Sequence, residues 1–358
     1  MVLSPPTALW VVPVSDLAGV ARHVLDVARA GIPGWRLVFL TPPGDLPVRL
    51  RMLGAQVVEG RFGPDHGLRA SVATLRGVVR RERPAVVHSH LSYADIVAAL
   101  AVGRGPRLVT TEHGIAREDV VYHQSGAKAR VMAAAHTARL RRFDAAIAVS
   151  EATADAMVEK WHPRVRPVVI PNGVDVVSRL APLAPEPPAP GLRVLSLARL
   201  APEKRLPALV DGFSELVRSH PDARLTLAGT GPEEAALRAQ VSRLGLDDTV
   251  SMPGFVDPER AMAEHDVLAM LSVWENCSYA LLDAAARGMG VVASDVGGNP
   301  EILPAQSLVR ADDPGAVAAA LTTQGLDPTA RPGLSGWPGV ADMCARIATT
   351  YDAVGGRR

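Results

Sequence analysis

The sequence predicts an α/β protein made of two Rossmann-like domains in succession, and three observations carry that expectation. Short apolar runs alternate with helical stretches along both halves of the 358 residues, the pattern of parallel strands joined by right-handed crossovers. The alternation stops once, between Val176 and Gly191, where Pro182, Pro185, Pro187, Pro188 and Pro190 crowd together. Aromatic residues make up only 4% of a chain that is 48% hydrophobic, which suits strands buried on both faces under closely packed helices.

In the first half, Ala8–Val14 predicts a strand that leads through Ser15–Gly19 into a helix over Val20–Ala30. Leu37–Leu40 predicts a second strand, followed by a Pro/Gly turn and a helix over Val48–Leu53. Val86–His88 precedes a helix over Tyr93–Val102, Leu108–Thr110 precedes a loop carrying His113, and Ala145–Val149 precedes a helix opening at Ser150. A Pro-rich run without periodicity is a stiff, extended linker. The linker is therefore expected over 179–190, between a first domain over 1–178 and a second over 191–336. In the second domain, Arg193–Ala198, Arg224–Ala228, Thr249–Met252, Val267–Leu271 and Val291–Ser294 predict strands with helices between them, and Gly339 to Ala353 predicts a closing amphipathic helix. Ligands of open α/β sheets bind outside the carboxyl ends of the strands, so two such domains are expected to present those ends to one cleft.

Composition narrows the function classes. Cys277 and Cys344, far apart, form neither a disulfide framework nor a Cys-based zinc site, and a reducing cytoplasm is expected. Met1–Val14 has no basic leader and is broken by Pro13, which predicts a strand rather than a signal peptide. No apolar run approaches the roughly 18 residues of a membrane span. The net charge of +1 conceals 23 Lys/Arg against 15 Asp/Glu in residues 1–180 and the reverse excess beyond. Two clusters contribute most: Arg76, Arg80, Arg81 and Arg83, then Arg139, Arg141 and Arg142. Both are expected on solvated helix faces. A second reading is peripheral contact with the inner face of a membrane or with a phosphorylated acceptor, and no nucleic-acid partner is expected.

Two segments carry the chemistry. Arg199 and Lys204 sit on the loop after the second domain's first strand, where a guanidinium fork and an ammonium point charge can share a diphosphate. Glu275, Asn276, Cys277 and Ser278 follow Val267–Leu271 and lead into a helix over Ser278–Arg287, with Gly288 as its cap. Backbone amides at that helix start suit a phosphate. Glu275 before the helix and Asp283 within it can accept bonds from sugar hydroxyls at two ends of a nucleotide sugar. Gly229-Thr230-Gly231 lacks the third glycine of a dinucleotide fingerprint, and the chain has no Walker-type lysine loop.

The Glu-x7-acid spacing, followed by Gly288 to Glu301, resembles the signature of the retaining GT-B glycosyltransferases of family four, the group 1 glycosyl transferases. Thr111–Gly114, Ala148–Ala152, Val169–Asp175, Arg199–Lys204 and Leu227–Glu233 fit the same template in the same order, so the resemblance runs from about Ala8 to about Ile302. Trp337–Tyr351 resembles the family's closing helix, which returns to the first domain, here over about 338–354. The resemblance implies a first domain for the acceptor and a second for the donor. It implies that Arg199 and Lys204 bind the donor diphosphate, that Glu275 bonds the donor sugar, and that Asp283, shorter by a methylene than the family's Glu, faces the ribose. His113 is implied beside the donor sugar and Gly19 beside the donor phosphate or acceptor, with Ala18 standing where the family more often has a second glycine. Gly254, Phe255 and Val256 match the base-binding turn, and His88 and His90 resemble acceptor-side histidines, which leaves them either acceptor-lining or structural.

These matches imply transfer of a sugar, with retention, from a UDP- or GDP-sugar to an acceptor hydroxyl, in polysaccharide, glycolipid or secondary-metabolite glycoside synthesis. The leaving diphosphate itself would help take the acceptor proton, and with no Asp-x-Asp motif in a suitable loop neither an essential metal nor a cofactor is expected. Two rival readings are a nucleotide-sugar epimerase or hydrolase of the same fold, which would release nucleotide from donor alone, and a non-catalytic sugar-nucleotide binding module.

Overall fold

The computed structural model describes residues 4–115, 134, 136–175 and 191–355, so the linker expected over 179–190 lies outside the described residues. The chain divides into two compact units, Met1–Gly173 with Pro338–Arg358, and Val174–Trp337.

The first unit runs β1 (Thr7–Val11), α1 (Gly19–Ala30), β2 (Arg36–Thr41), α2 (Asp45–Met52), β3 (Gln56–Glu59), α3 (Leu68–Glu82), β4 (Val86–His90), α4 (Ser92–Ala101), β5 (Arg107–Glu112), β6 (Ala145–Ala148), α5 (Glu151–Trp161) and β7 (Val168–Val169). Its seven strands lie in the order β3-β2-β1-β4-β5-β6-β7, paired in parallel throughout. Successive side chains of a strand point to opposite faces, so β1 feeds two cores. Ala8 and Trp10 enter one with Val24 and Val27 of α1, while Leu9 and Val11 enter the other with Leu75 of α3 and Val97 of α4. The C-terminal helix Val340–Gly355 belongs to this unit and lays Met343, Ile347 and Tyr351 into the Trp10 core.

The second unit runs β8 (Arg193–Leu197), α6 (Leu206–Ser219), β9 (Arg224–Ala228), α7 (Glu234–Arg243), β10 (Val250–Gly254), α8 (Pro258–Ala263), β11 (Val267–Met270), α9 (Tyr279–Ala286), β12 (Gly290–Ser294), α10 (Asn299–Ile302), β13 (Leu308–Val309) and α11 (Pro314–Leu326). Its strands lie in the order β10-β9-β8-β11-β12-β13, again parallel. Each sheet therefore reverses its winding once, between β1 and β4 in the first unit and between β8 and β11 in the second. Such a switch point splays the adjoining loops apart and opens a crevice at the carboxyl ends of the strands.

The elements differ from expectation mainly at their edges. The strand over Thr249–Met252 is displaced to Val250–Gly254, the helix over Val48–Leu53 starts earlier at Asp45, and the helix expected from Ser278 begins at Tyr279 with Ser278 as its cap. β3, β7 and β13, together with α3, α10 and α11, were not anticipated. These strands span four, two and two residues, too few for a period to register.

Candidate functional site

In the second unit the predicted residues gather on the loops that leave β8 and β11, the two strands flanking the switch point. Beyond β8 the chain forms a single 3-10 turn, Pro202–Lys204, whose last residue carries the ammonium. Lys204 Nζ donates to Glu275 Oε1 at 2.6 Å, both side chains half-buried. Arg199 is ion-paired with Glu203 and keeps 67% of its side chain exposed. The amide of Val273 donates to the carbonyl of Glu203 at 2.8 Å, which ties the turn to the segment after β11. A cation and a carboxylate from separate strands thus stand in contact, and the guanidinium on the same loop stays open to solvent.

Glycines hold these loops in place. Gly297 has φ of 53°, and a Cβ there would lie 2.0 Å from the carbonyl oxygen of Glu275, while the Gly298 amide donates to that same oxygen at 2.9 Å. Gly229 and Gly231 press likewise on the Arg199 loop: a Cβ would meet the carbonyl oxygens of Ala198 and Leu200 at 2.0 and 2.3 Å. The Gly-x-Gly of the sequence is therefore a close-packing device that supports the Arg199 loop.

The other donor-side residues are placed as follows. Asn276, Cys277 and Asp283 are buried, and Ser278 Oγ accepts from the amide of Leu281 at 3.5 Å at the start of α9. Gly254 ends β10 with φ of 79° and accepts from the Gly229 amide at 2.8 Å, next to a half-buried Val256. Phe255 is 85% exposed, an unusual position for a large apolar ring. A cavity of about 440 Å³ lined by Arg205, Ser294, Asp295, Arg310 and Asp312 contains none of the predicted residues.

In the first unit, histidines converge at the switch point between β1 and β4. His90 ends β4, His113 follows β5, and His23 reaches in from α1. His90 Nδ1 lies 3.0 Å from His113 Nε2, and the His113 ring sits 4.9 Å from that of His23. His23 stacks on Trp10 and sets Nδ1 at 3.3 Å from Asn172 Oδ1. Burial holds the imidazoles neutral: it lowers His23 to about 4, and pushes His90 and His113 well below the usual histidine range. Gly19 is the exposed first residue of α1, with open space where a Cβ would be.

Of the two readings of His88, the structural one fits: it is fully buried, with Nδ1 at 2.6 Å from Tyr351 Oη and Nε2 at 2.8 Å from Thr111 Oγ1. Trp10 Nε1 donates to the same Tyr351 oxygen at 2.9 Å. Both ring nitrogens of His88 are thus engaged, and the ring has none left for a ligand. Arg139 is not on a solvated face: its guanidinium is buried between Asp95 and Glu112 and stacks over Trp161. Glu112 in turn accepts from the Gly114 amide at 3.1 Å, so Arg139 steadies the loop that carries His113. Arg76, Arg80, Arg81 and Arg83 are exposed, as expected.

Comparisons with known proteins identify a family. A model described as Glycosyltransferase Family 4 matches residues 17–177, and one described as Glycosyl transferases group 1 matches residues 191–324. The chain belongs to glycosyltransferase family 4. It is 27% identical over 334 residues to a phosphatidylinositol N-acetylglucosaminyltransferase chain of Arabidopsis thaliana, covering 87% of this chain and 72% of the relative. It is 28% identical over 321 residues to glycogen synthase of Mycobacterium tuberculosis, covering 81% and 77%. Among solved structures, a glycosyltransferase from Rickettsia africae superposes with a TM-score of 0.78 at 17% identity over 99% of this chain and 100% of that one. Anabaena HepE in complex with UDP-glucose superposes with a TM-score of 0.77 at 22% identity over 98% and 97%. These neighbours share the GT-B class of two parallel-sheet α/β domains.

Residues missed in the sequence fall into two groups. His23, Trp10, Asn172 and Tyr351 come together only through folding. Glu203, Gly297 and Gly298 lay inside or beside the recognised motifs, and the doubled glycine before Asn299 was a signal that could have singled out the last two.

Proposed function

We propose that this family 4 glycosyltransferase moves a sugar from a nucleoside-diphosphate sugar to an acceptor hydroxyl with retention of anomeric configuration. The observation that carries the reading is the 2.6 Å contact between Lys204 and Glu275 at the switch point of the second sheet. It sets a cation suited to a diphosphate beside a carboxylate suited to sugar hydroxyls. Arg199 grips the diphosphate as a fork, Lys204 neutralises the charge that grows on it, and amides at the start of α9 add to both. Glu275 orients the sugar, and His113 assists its transfer as the family resemblance implies. The bond from the anomeric carbon to the diphosphate oxygen breaks, the acceptor oxygen bonds to that carbon on the same face, and its proton passes to the departing diphosphate. No protein nucleophile is needed, so the catalysis is positional and electrostatic. Phe255 stacks on the nucleobase, while Asp283 faces the ribose.

The UDP-glucose bound by Anabaena HepE and the names of the relatives support a nucleotide-sugar donor and a role in glycan or glycolipid synthesis. We further place the enzyme in the cytoplasm, its first unit touching anionic headgroups or a phosphorylated acceptor through the exposed arginines of α3. No helix among the described residues is long and apolar enough to cross a membrane.

The binding test needs no acceptor. UDP, UDP-glucose and GDP-mannose are titrated into the protein by calorimetry and thermal shift; one diphosphate series should stabilise it, and Lys204→Ala should weaken binding at least tenfold, about 1.4 kcal/mol. Glu275→Ala should spare UDP and weaken only the intact nucleotide sugar. Indifference of all three proteins to every nucleotide would defeat the reading. Nucleotide release from donor alone, at the rate seen with a hydroxyl acceptor, would favour a hydrolase.

A further inference from the structure

We propose that His23, His90 and His113 form a binding site for one divalent transition ion of the zinc class. Each offers one ring nitrogen, and the three nitrogens lie within 4.8 Å of one another. Nitrogens bound to zinc at about 2.0–2.1 Å stand about 3.4 Å apart in a tetrahedron. His90 Nδ1 and His113 Nε2, 3.0 Å apart, are already near that spacing. His23 Nε2 is buried with no hydrogen-bond partner in the fold, a costly state for a ring nitrogen that a metal would relieve. Asn172 supplies the outer support such a ligand needs: with His23 Nδ1 donating to Asn172 Oδ1, the Nε2 lone pair is left for an ion.

The ligand set also selects the ion. Three uncharged imidazoles suit zinc, cobalt, nickel or copper, whereas magnesium and calcium prefer oxygen donors. The rings come from α1, the end of β4 and the loop after β5, so the backbone scaffold presets them, and the half-buried His113 leaves a way in. With three protein ligands a fourth position stays open. An ion held there would withdraw His113 from sugar transfer, so zinc should act as an inhibitor; that consequence, unlike the binding itself, rests on the role proposed for His113.

The experiment uses the full-length chain, free of any tag and stripped with chelator. Zinc chloride is titrated by calorimetry, and cobalt chloride is followed by its visible ligand-field absorption. One ion per chain is expected, with affinity at least tenfold weaker in His23→Gln and in His113→Ala, and unchanged in His220→Ala of the second unit. Should His23→Gln fail to fold, His113→Ala, altered at a half-buried loop position, decides alone. Absence of saturable binding at one ion per chain would overturn the proposal, as would equal affinity in the folded histidine variants. Binding that follows these variants while transfer proceeds unimpaired under saturating zinc would keep the site and refute the role given to His113.

Discussion

Arg139 holds its guanidinium between Asp95 and Glu112 with 2% of the side chain exposed, and the three charges depend on one another. Ser89 and Thr110 add hydroxyl donors to Asp95 at 2.6 and 2.8 Å, yet burial still raises that carboxyl to about 6. Arg139→Met fills the space but strands two carboxylates, and should cost about 3–5 kcal/mol in denaturant unfolding of the first unit; a loss below about 1 kcal/mol would show that water screens the triad. The buried histidines make the same unit acid-sensitive. His23 has a folded pKa of about 4 against an ordinary 6.5, so the unfolded chain takes up its proton first as pH falls. Its contribution is complete above about 6.5 and drains away between 6.5 and 4, amounting to about 2 kcal/mol lost by pH 5. Asp95, raised rather than lowered, works in the opposite sense over the same window. Metal-free protein melted at pH 7 and pH 5 should therefore lose less stability as His23→Gln than as wild type; equal losses would refute the assignment. At this scale Arg199, Lys204 and Glu275 were legible because charged residues stood at strand ends inside a recognisable motif. His23 was not, since it sits within an amphipathic helix where histidine is unremarkable. Asp95 left one trace, the lone charge of the otherwise apolar α4.

Loops after β8 and β11 owe their shape to glycines that admit a neighbouring carbonyl where a Cβ would clash. Gly297→Ala combines a left-handed φ with a 2.0 Å collision against the Glu275 carbonyl, so the Glu275 loop must move. The expected outcome is a melting loss of a few degrees, equivalent to about 1–3 kcal/mol, accompanied by a larger loss of nucleotide-sugar binding than of UDP binding. Unaltered binding of both would mean that Glu275 tolerates displacement. Long apolar runs with capped helices were legible as elements: Ser150, for instance, does cap α5, accepting from the Thr153 amide at 3.0 Å. The edge strands β3, β7 and β13 were not, because pairing with a neighbour rather than their own pattern makes them strands. α3 did leave a helical pattern, since Ser71, Leu75 and Val78 face inward at helical spacing while its arginines lie on the solvent side.

Two parallel sheets with their winding reversals were legible as a class, since alternation of strand and helix admits few topologies. What alternation could not reveal is that both reversals collect the chemistry: histidines at one, the Lys204–Glu275 pair at the other. The exposed arginines of α3 give the first unit a charged surface to test. Vesicles containing anionic lipid should retain the protein at low salt and release it as salt screens the contact. Arg80→Gln, Arg81→Gln and Arg83→Gln together should abolish retention; none by wild type would leave a phosphorylated acceptor as the reason for the charge.

The bond from Trp10 to Tyr351 joins residues 341 positions apart in the chain. A ribosome makes Tyr351 only after Trp10 and all of residues 174–337 have been made. The nascent first unit must therefore wait, its Trp10 core open to water, while the contiguous second unit is free to fold ahead of it. Order of synthesis and order of completion are reversed, and a chaperone that shields the exposed β1 face would have the most to do during that interval.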